Sequence, residues 1–335
     1  MLSINKNQKI LNNIKTRLLL FAIPGCRSKN YSRHLEIFEK HKHSHKREYK
    51  DKTVLFVFAG RKDRMSLLMI YLKDLLTKKL VDYIHIWNFA RNKDDFKWVK
   101  NLQDTQSQIV VFTPDIFSDL PEHPQTLYRE AYQFYSDPFF YNSLFIKCDD
   151  DIVYIDTSEQ SFNRFLKKIK RINSAAPYYA VSANVINNSI CAYFQQNHKN
   201  LLPDNIFFFP FPADQGQRGK AMESYWEGGK KSQILHEYFI NHKEKFISES
   251  QKRGNVMVDI GVRFSINFIG FKPAIFSFFL KNKFFLDDEY YFSIRISKQL
   301  RKQIMIYMPL TVSHLSYFSQ PLQNDTLLIE KYYNL

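Results

Sequence analysis

Apolar and polar positions along the chain fall into blocks of two periods. Thr53-Val-Leu-Phe-Val-Phe-Ala59 is a short continuous apolar run rich in β-formers, ended by Gly60. Such a run predicts a buried strand. Directly after it, Met65, Leu68, Met69, Leu72, Leu75 and Leu76 recur at the spacing of one helix face. The change of period then repeats: Tyr83–Trp87 predicts a second strand, Asp94–Leu102 a short helix, Gln108–Thr113 a third strand and Ser143–Cys148 a fourth. Phe162, Phe165, Leu166, Ile169 and Ile172 line another helix face, with Thr157 and Gln160 spaced as a capping box at its start. Strands alternating with helices predict an α/β fold with a mainly parallel central sheet flanked by helices. From about residue 175 the alternation weakens, and Pro203, Pro210, Pro212 and Gly228-Gly229 mark loops. This half is expected to complete the same fold and to build a second substrate's pocket.

Composition narrows the class. With 335 residues, 44% of them hydrophobic, and 31 Phe and 20 Tyr, the chain can bury a large core, which excludes overall disorder. Cys26, Cys148 and Cys191 lie far apart and form no CxxC, which excludes a disulfide scaffold and a cysteine zinc site. No window approaches the ~18 consecutive apolar residues of a membrane-spanning helix. A cytoplasmic protein of a reducing compartment is the expectation. None of the nine glycines makes GxGxxG or GxxxxGK[ST], which argues against dinucleotide enzymes and P-loop NTPases. His236-Glu237 lacks the second histidine of HExxH, because position 240 is Ile.

The charge is uneven. Residues 1–50 hold twelve Lys and Arg against three Glu, so nine of the fifteen net positive charges sit there and six on the rest. Residues 1–50 therefore read as a flexible basic leader, and residues 51–335 as a single folded domain. Lys15 and Arg17 precede Leu18–Ile23, but that apolar run is shorter than the ~7–15 residues of an export signal. A basic leader suits peripheral contact with an anionic membrane on its inner face. Nucleic acid is not an expected partner, since the folded part carries little of the charge and no recognisable nucleic-acid module.

The stretch Leu144-Phe-Ile-Lys-Cys-Asp149-Asp150-Asp151-Ile-Val-Tyr-Ile155 places three carboxylates inside a strand-like apolar run. Partly desolvated like charges need a compensating cation. In extended geometry Asp149 and Asp151 share one side at the carboxyl end of a strand, the edge where open α/β sheets bind ligands. Two hard oxygen donors there suit Mg²⁺ or Mn²⁺ completed by phosphate oxygens. Arg61, Asp63 and Arg64 follow the first strand and Asn88 and Arg91 the second, at the same sheet edge, Arg91 with a fork suited to phosphate oxygens. Asn184 and Arg263 are weaker candidates for polar ligand contacts.

Lys147-Cys-Asp-Asp-Asp-Ile-Val-Tyr-Ile155 resembles the Asp-x-Asp region of glycosyltransferases with the GT-A fold, and the wider pattern is similar to a poorly characterised bacterial and fungal group. The resembling stretches are Phe58-Ala-Gly-Arg61 with Arg64-Met65, Ile84-His-Ile-Trp-Asn-Phe-Ala-Arg91, Val181-Ser-Ala-Asn184, Asp287-Asp-Glu289 and Val312–Gln320. Together they span roughly residues 53–320. The resemblance implies a GT-A (Rossmann-like) catalytic domain, with residues 51–160 as the nucleotide-sugar half and 161–335 as the acceptor half. It implies transfer of a sugar from a nucleotide-diphosphate donor, a UDP-sugar being expected, to a glycan or lipid-linked acceptor hydroxyl in polysaccharide synthesis. Asp149 and Asp151 would be metal ligands, with His314 as the third, and Asp149 and Asp150 would also meet the donor. Asp288, or Glu289 beside it, would be the catalytic base of an inverting reaction. A sugar-nucleotide nucleotidyltransferase and a basic nucleic-acid-binding or DDE-type nuclease are the rival readings of the same residues.

Overall fold

The computed structural model describes residues 49–102, 108–113, 125–198, 201–203, 206, 229–280, 288–315 and 325–335. Leader residues 1–48, Asp287 and residues 316–320 lie outside them. The first half alternates as its periodicity predicts in β1 (Thr53–Ala59), α1 (Lys62–Thr77), β2 (Tyr83–Asn88), α2 (Lys93–Lys100) and β3 (Ile109–Phe112); α3 (Gln125–Tyr135), which the pattern did not predict, then leads to the expected β4 (Leu144–Asp149). Then follow β5 (Ile152–Ile155), α4 (Glu159–Lys170), β6 (Tyr178–Ile186), α5 (Ser189–Gln195), α6 (Lys230–Asn241) and α7 (Lys243–Gln251). The last part holds β7 (Val256–Val258), β8 (Phe268–Phe271), α8 (Phe276–Leu280), α9 (Asp288–Tyr290), a π-helical stretch (Tyr291–Ile296), α10 (Ser297–Leu300), β9 (Gln303–His314) and α11 (Asp325–Tyr333).

Eight strands form one sheet in the order β3-β2-β1-β4-β8-β6-β9-β5, and β7 adds to β9. β3, β2, β1, β4, β6 and β9 run in one direction, while β8, β5 and β7 run against them. The sheet is therefore mixed and mostly parallel. Its common direction puts the carboxyl ends of β1, β2, β4 and β9 on one edge, so Gly60, Phe89, Asp150 and Leu315 all leave the sheet there.

All seven residues of β1 are buried, which explains its unbroken apolar run. Aromatic side chains fill the layer above it, each contributing roughly 1.5–3 kcal/mol on burial. Their polar atoms are paired within the core: Trp87 Nε1 donates to Tyr135 Oη at 2.9 Å, and His85 bonds Tyr135 and Tyr49 at 3.1 Å each. Tyr49 thus belongs to the folded domain, although the basic leader was expected to run to residue 50. On the other half, α4 packs so closely on β8 that a Cβ at Gly270 would lie 2.1 Å from Ile169 Cδ1. Only glycine fits there.

Two local expectations are corrected. The capping box of α4 does not form: Ser158 is its N-cap without a side-chain bond, and the Thr157 hydroxyl bonds Asp74 of α1 instead. Asp156 Oδ1 accepts from Ser158 N at 3.0 Å and shapes that turn. The acidic triplet is also not one extended strand. β4 ends at Asp149, and Asp150 and Asp151 form the turn into β5. Among the described residues no helix is long and apolar enough to cross a membrane.

Candidate functional site

The β4–β5 turn aims its three carboxylates at different neighbours. Asp149, the last residue of β4, accepts from Lys147 Nζ on one oxygen and from Asn267 Nδ2 at 3.0 Å on the other. Asp150 reaches across to the end of β1, where Gly60 N donates to Oδ2 at 2.7 Å and Arg61 Nη2 donates to Oδ1 at 2.6 Å. A Cβ at Gly60 would already sit 3.3 Å from Asp150 Oδ2, so glycine permits this approach. Asp151 accepts from the same Arg61 Nη2 at 2.9 Å, and its second oxygen lies 3.0 Å from His314 Nε2.

His314 arrives from β9. Its strand runs parallel to β6 and antiparallel to β5, and the β5 register sets Ile152 opposite His314, one residue from Asp151. Leu315 N donates to Asp151 O at 2.8 Å, and Asn187 Nδ2 donates to His314 O at 2.9 Å, so the backbone is held on both sides. Ligand atoms of Asp149, Asp151 and His314 all lie within 4.8 Å of one another. Two carboxylates and an imidazole are a donor set for Mn²⁺ or Mg²⁺. Octahedral ligands at about 2.1 Å stand about 3.0 Å apart along an edge, the separation of His314 Nε2 and Asp151 Oδ1. The three residues offer the donor types such an ion takes, within reach of one another.

Burial and neighbouring charges pull the members of the cluster in different directions. Burial pushes the Asp151 carboxyl up, but His314 and Arg61 outweigh it and hold the group far below the usual carboxylate range. Burial likewise disfavours the His314 imidazolium, and Asp151 reverses this and raises it. Lys147 is buried, yet Asp149 and Asp288 keep it a firm ammonium, above its ordinary value. Burial and the nearby Asp151 charge raise the Asp149 carboxyl against the pull of Lys147.

Arg61, Lys147, Asp149, Asp150 and Asp151 line a cleft of about 250 Å³ together with Phe58, Phe89, Tyr128, Arg91, Asp288 and Glu289. Phe58 and Tyr128 stack at 4.6 Å. Buried Tyr132 donates to Asp288 Oδ2 at 2.8 Å, while Oδ1 has no hydrogen-bond partner among the described residues. Glu289 is instead paired with Arg263 Nε at 2.6 Å.

Of the residues expected in the site, the structure brings together Arg61, Arg91, Asp149, Asp150, Asp151, His314, Asp288 and Glu289. Other candidates lie elsewhere. Asp63 faces solvent in the first turn of α1 and pairs with Arg64. Asn88 is fully buried and its amide donates to Phe96 O at 2.9 Å, tying β2 to α2. Asn184 is buried between Ser250 and Gln195. Sequence reasoning missed Lys147, Asn267, Tyr128 and Tyr132. Lys147 stands two residues before Asp149 in a strand, hence on its face, and the Tyr128/Tyr132 pair has i, i+4 spacing. Asn267 carried no signal. Comparison with protein-family models finds none that matches the chain, and none of the curated proteins matches it.

Proposed function

We propose that the protein is a metal-dependent glycosyltransferase of the GT-A type, transferring a sugar from a nucleotide-diphosphate donor to an acceptor hydroxyl with inversion. The observation that carries this reading is the convergence of Asp149, Asp151 and His314 on one edge of a mostly parallel sheet, beside a cleft lined with cations and aromatic rings. Asp149, Asp151 and His314 would hold Mn²⁺ or Mg²⁺, which when bound neutralises charge on the leaving diphosphate. Lys147 and Asn267 fix both oxygens of Asp149, so its orientation is set before any ligand arrives. Arg91, which lines the cleft, offers a bidentate fork to phosphate oxygens.

Asp288 is the base. Tyr132 holds one of its oxygens, and the other takes the acceptor hydroxyl's proton while the new glycosidic bond forms. The bond from the anomeric carbon to the diphosphate breaks on the opposite face, and the nucleoside diphosphate leaves with that electron pair. Glu289 is less suited, because Arg263 already occupies it. A glycan or lipid-linked acceptor, and peripheral membrane contact through residues 1–50, belong to the same proposal.

The test is incubation with a panel of sugar nucleotides and with nucleoside triphosphates in the presence of Mn²⁺. Release of a nucleoside diphosphate supports the reading. Release of pyrophosphate assigns nucleotidyl transfer instead, and turnover of neither discards both.

A further inference from the structure

Arg61 sits where a bound divalent cation would feel it most. Its Nη2 bridges Asp150 Oδ1 at 2.6 Å and Asp151 Oδ2 at 2.9 Å. His314 takes the other oxygen of Asp151 at 3.0 Å, so both oxygens of this ligand residue are already engaged by nitrogen donors. Asp150 lies outside the metal-ligating trio. Its Oδ2 is anchored by Gly60 N at 2.7 Å, so it stays in place whatever Arg61 does. The other cation deep in the cleft cannot move as freely. Lys147 is buried and held by Asp149 and by Ile266 O at 3.3 Å, whereas the Arg61 side chain keeps about a fifth of its surface exposed.

We propose that Arg61 is an exchangeable counter-ion: it competes with the divalent cation for Asp151 and, once displaced, pivots on Asp150 to bind the donor's diphosphate. The inference rests on the metal assignment made above and adds to it an order, cation before donor. Like charges a few ångströms apart in a partly buried site shift a binding equilibrium by roughly ten-fold or more. The guanidinium therefore weakens the cation's hold while it bridges the two acids. A diphosphate arriving at the cation offers it two anionic oxygens in the geometry its fork prefers. Metal and donor become coupled through one side chain.

The test uses Arg61→Gln and Arg61→Met, two neutral replacements of which the second keeps the apolar stem and removes all hydrogen bonding. Binding of Mn²⁺ alone is read from the electron paramagnetic resonance signal of the free ion, and melting curves verify that each variant is folded. Inorganic pyrophosphate is then titrated calorimetrically into the Mn²⁺-loaded protein. Both variants are expected to bind Mn²⁺ roughly ten-fold more tightly than the parent and pyrophosphate roughly ten-fold more weakly, the scale of one charged hydrogen bond. If the parent binds Mn²⁺ and the variants bind it equally or less well, Arg61 supports the metal site instead of competing with it and the exchange is wrong. If neither parent nor variants bind Mn²⁺ at millimolar concentration, the metal assignment falls and the exchange falls with it.

Discussion

Asp151→Asn keeps the size of the side chain and removes the charge shared by Arg61 and His314. Without metal, the parent has two charge-assisted hydrogen bonds at this carboxylate, each worth about 1.5–3 kcal/mol. Asp150 still holds Arg61, and the amide oxygen of Asn still accepts one bond, so the net loss is about 2 kcal/mol. For a domain of this size that lowers Tm by about 3 °C. The decisive quantity is the metal-dependent shift. Free Mn²⁺ at about a hundred times its Kd would stabilise the parent by about 2.7 kcal/mol, roughly 4–5 °C in Tm. If the variant loses about a hundred-fold in affinity, the same concentration half-saturates it, and the shift shrinks to about 0.4 kcal/mol, near 1 °C. Differential scanning fluorimetry across a Mn²⁺ titration measures both. A variant that melts lower yet gains the full parental shift with Mn²⁺ would refute the assignment of Asp151 as a ligand.

Asp288→Asn is expected to cut kcat by about 10²–10⁴ while Mn²⁺ and donor binding persist; a loss of only a few-fold, with Glu289→Gln inactive, moves the base by one residue. Gly270→Ala forces a methyl to 2.1 Å from Ile169 Cδ1 and should cost about 1–3 kcal/mol in urea unfolding; an unchanged midpoint would mean that α4 gives way freely. Buried His236 has its imidazolium pushed down to about 3 by burial. The unfolded chain takes up this proton below about pH 6.5 and the folded one does not, so stability falls with falling pH by up to about 1.4 kcal/mol per unit. His236→Gln should flatten the melting profile between pH 6.5 and 5, and an equally steep profile removes His236 as its source. Deleting residues 1–48 should preserve Tm and reduce sedimentation with anionic liposomes, whereas deletion to residue 50 removes buried Tyr49 and should cost about 3–5 kcal/mol; equal Tm for the two truncations would contradict the packing of Tyr49.

Period alone delivered the first half of the sheet, because β1 to β4 are short, apolar and separated by helices with one buried face. β6 and β9 were not legible. β9 spans Gln303–His314 with Met308-Pro-Leu310 looped out between the residues that pair with Ala183 and Asn184, and a bulge of that size breaks any two-residue alternation. The acidic triplet could be found from sequence because charge inside an apolar run costs free energy unless it is compensated. What could not be found is the compensation itself. Lys147, Arg61 and His314 come from three strand ends separated by up to 253 positions, and only the sheet order joins them. Asn88 shows the converse failure: its place after β2 is right, but its amide serves the β2–α2 turn.

The charge count of the cleft gives the cation a role beyond ligand geometry. Asp149, Asp150, Asp151, Asp288 and Glu289 border it against Arg61, Arg91 and Lys147, five carboxylates to three cations. With His314 deprotonated, the form in which it would ligate a metal, setting Arg263 against Glu289 leaves the balance still negative. In a partly buried cleft an excess of one or two negative charges repels a diphosphate by several kcal/mol at close range. On the proposed reading, a divalent ion at Asp149, Asp151 and His314 would bring the balance to zero or above, and a diphosphate would then find a favourable field. Arginine alone cannot do this, because its charge is already spent on Asp150 and Asp151. On that reading, the acids that would repel the donor are also the ones that would recruit the ion that admits it.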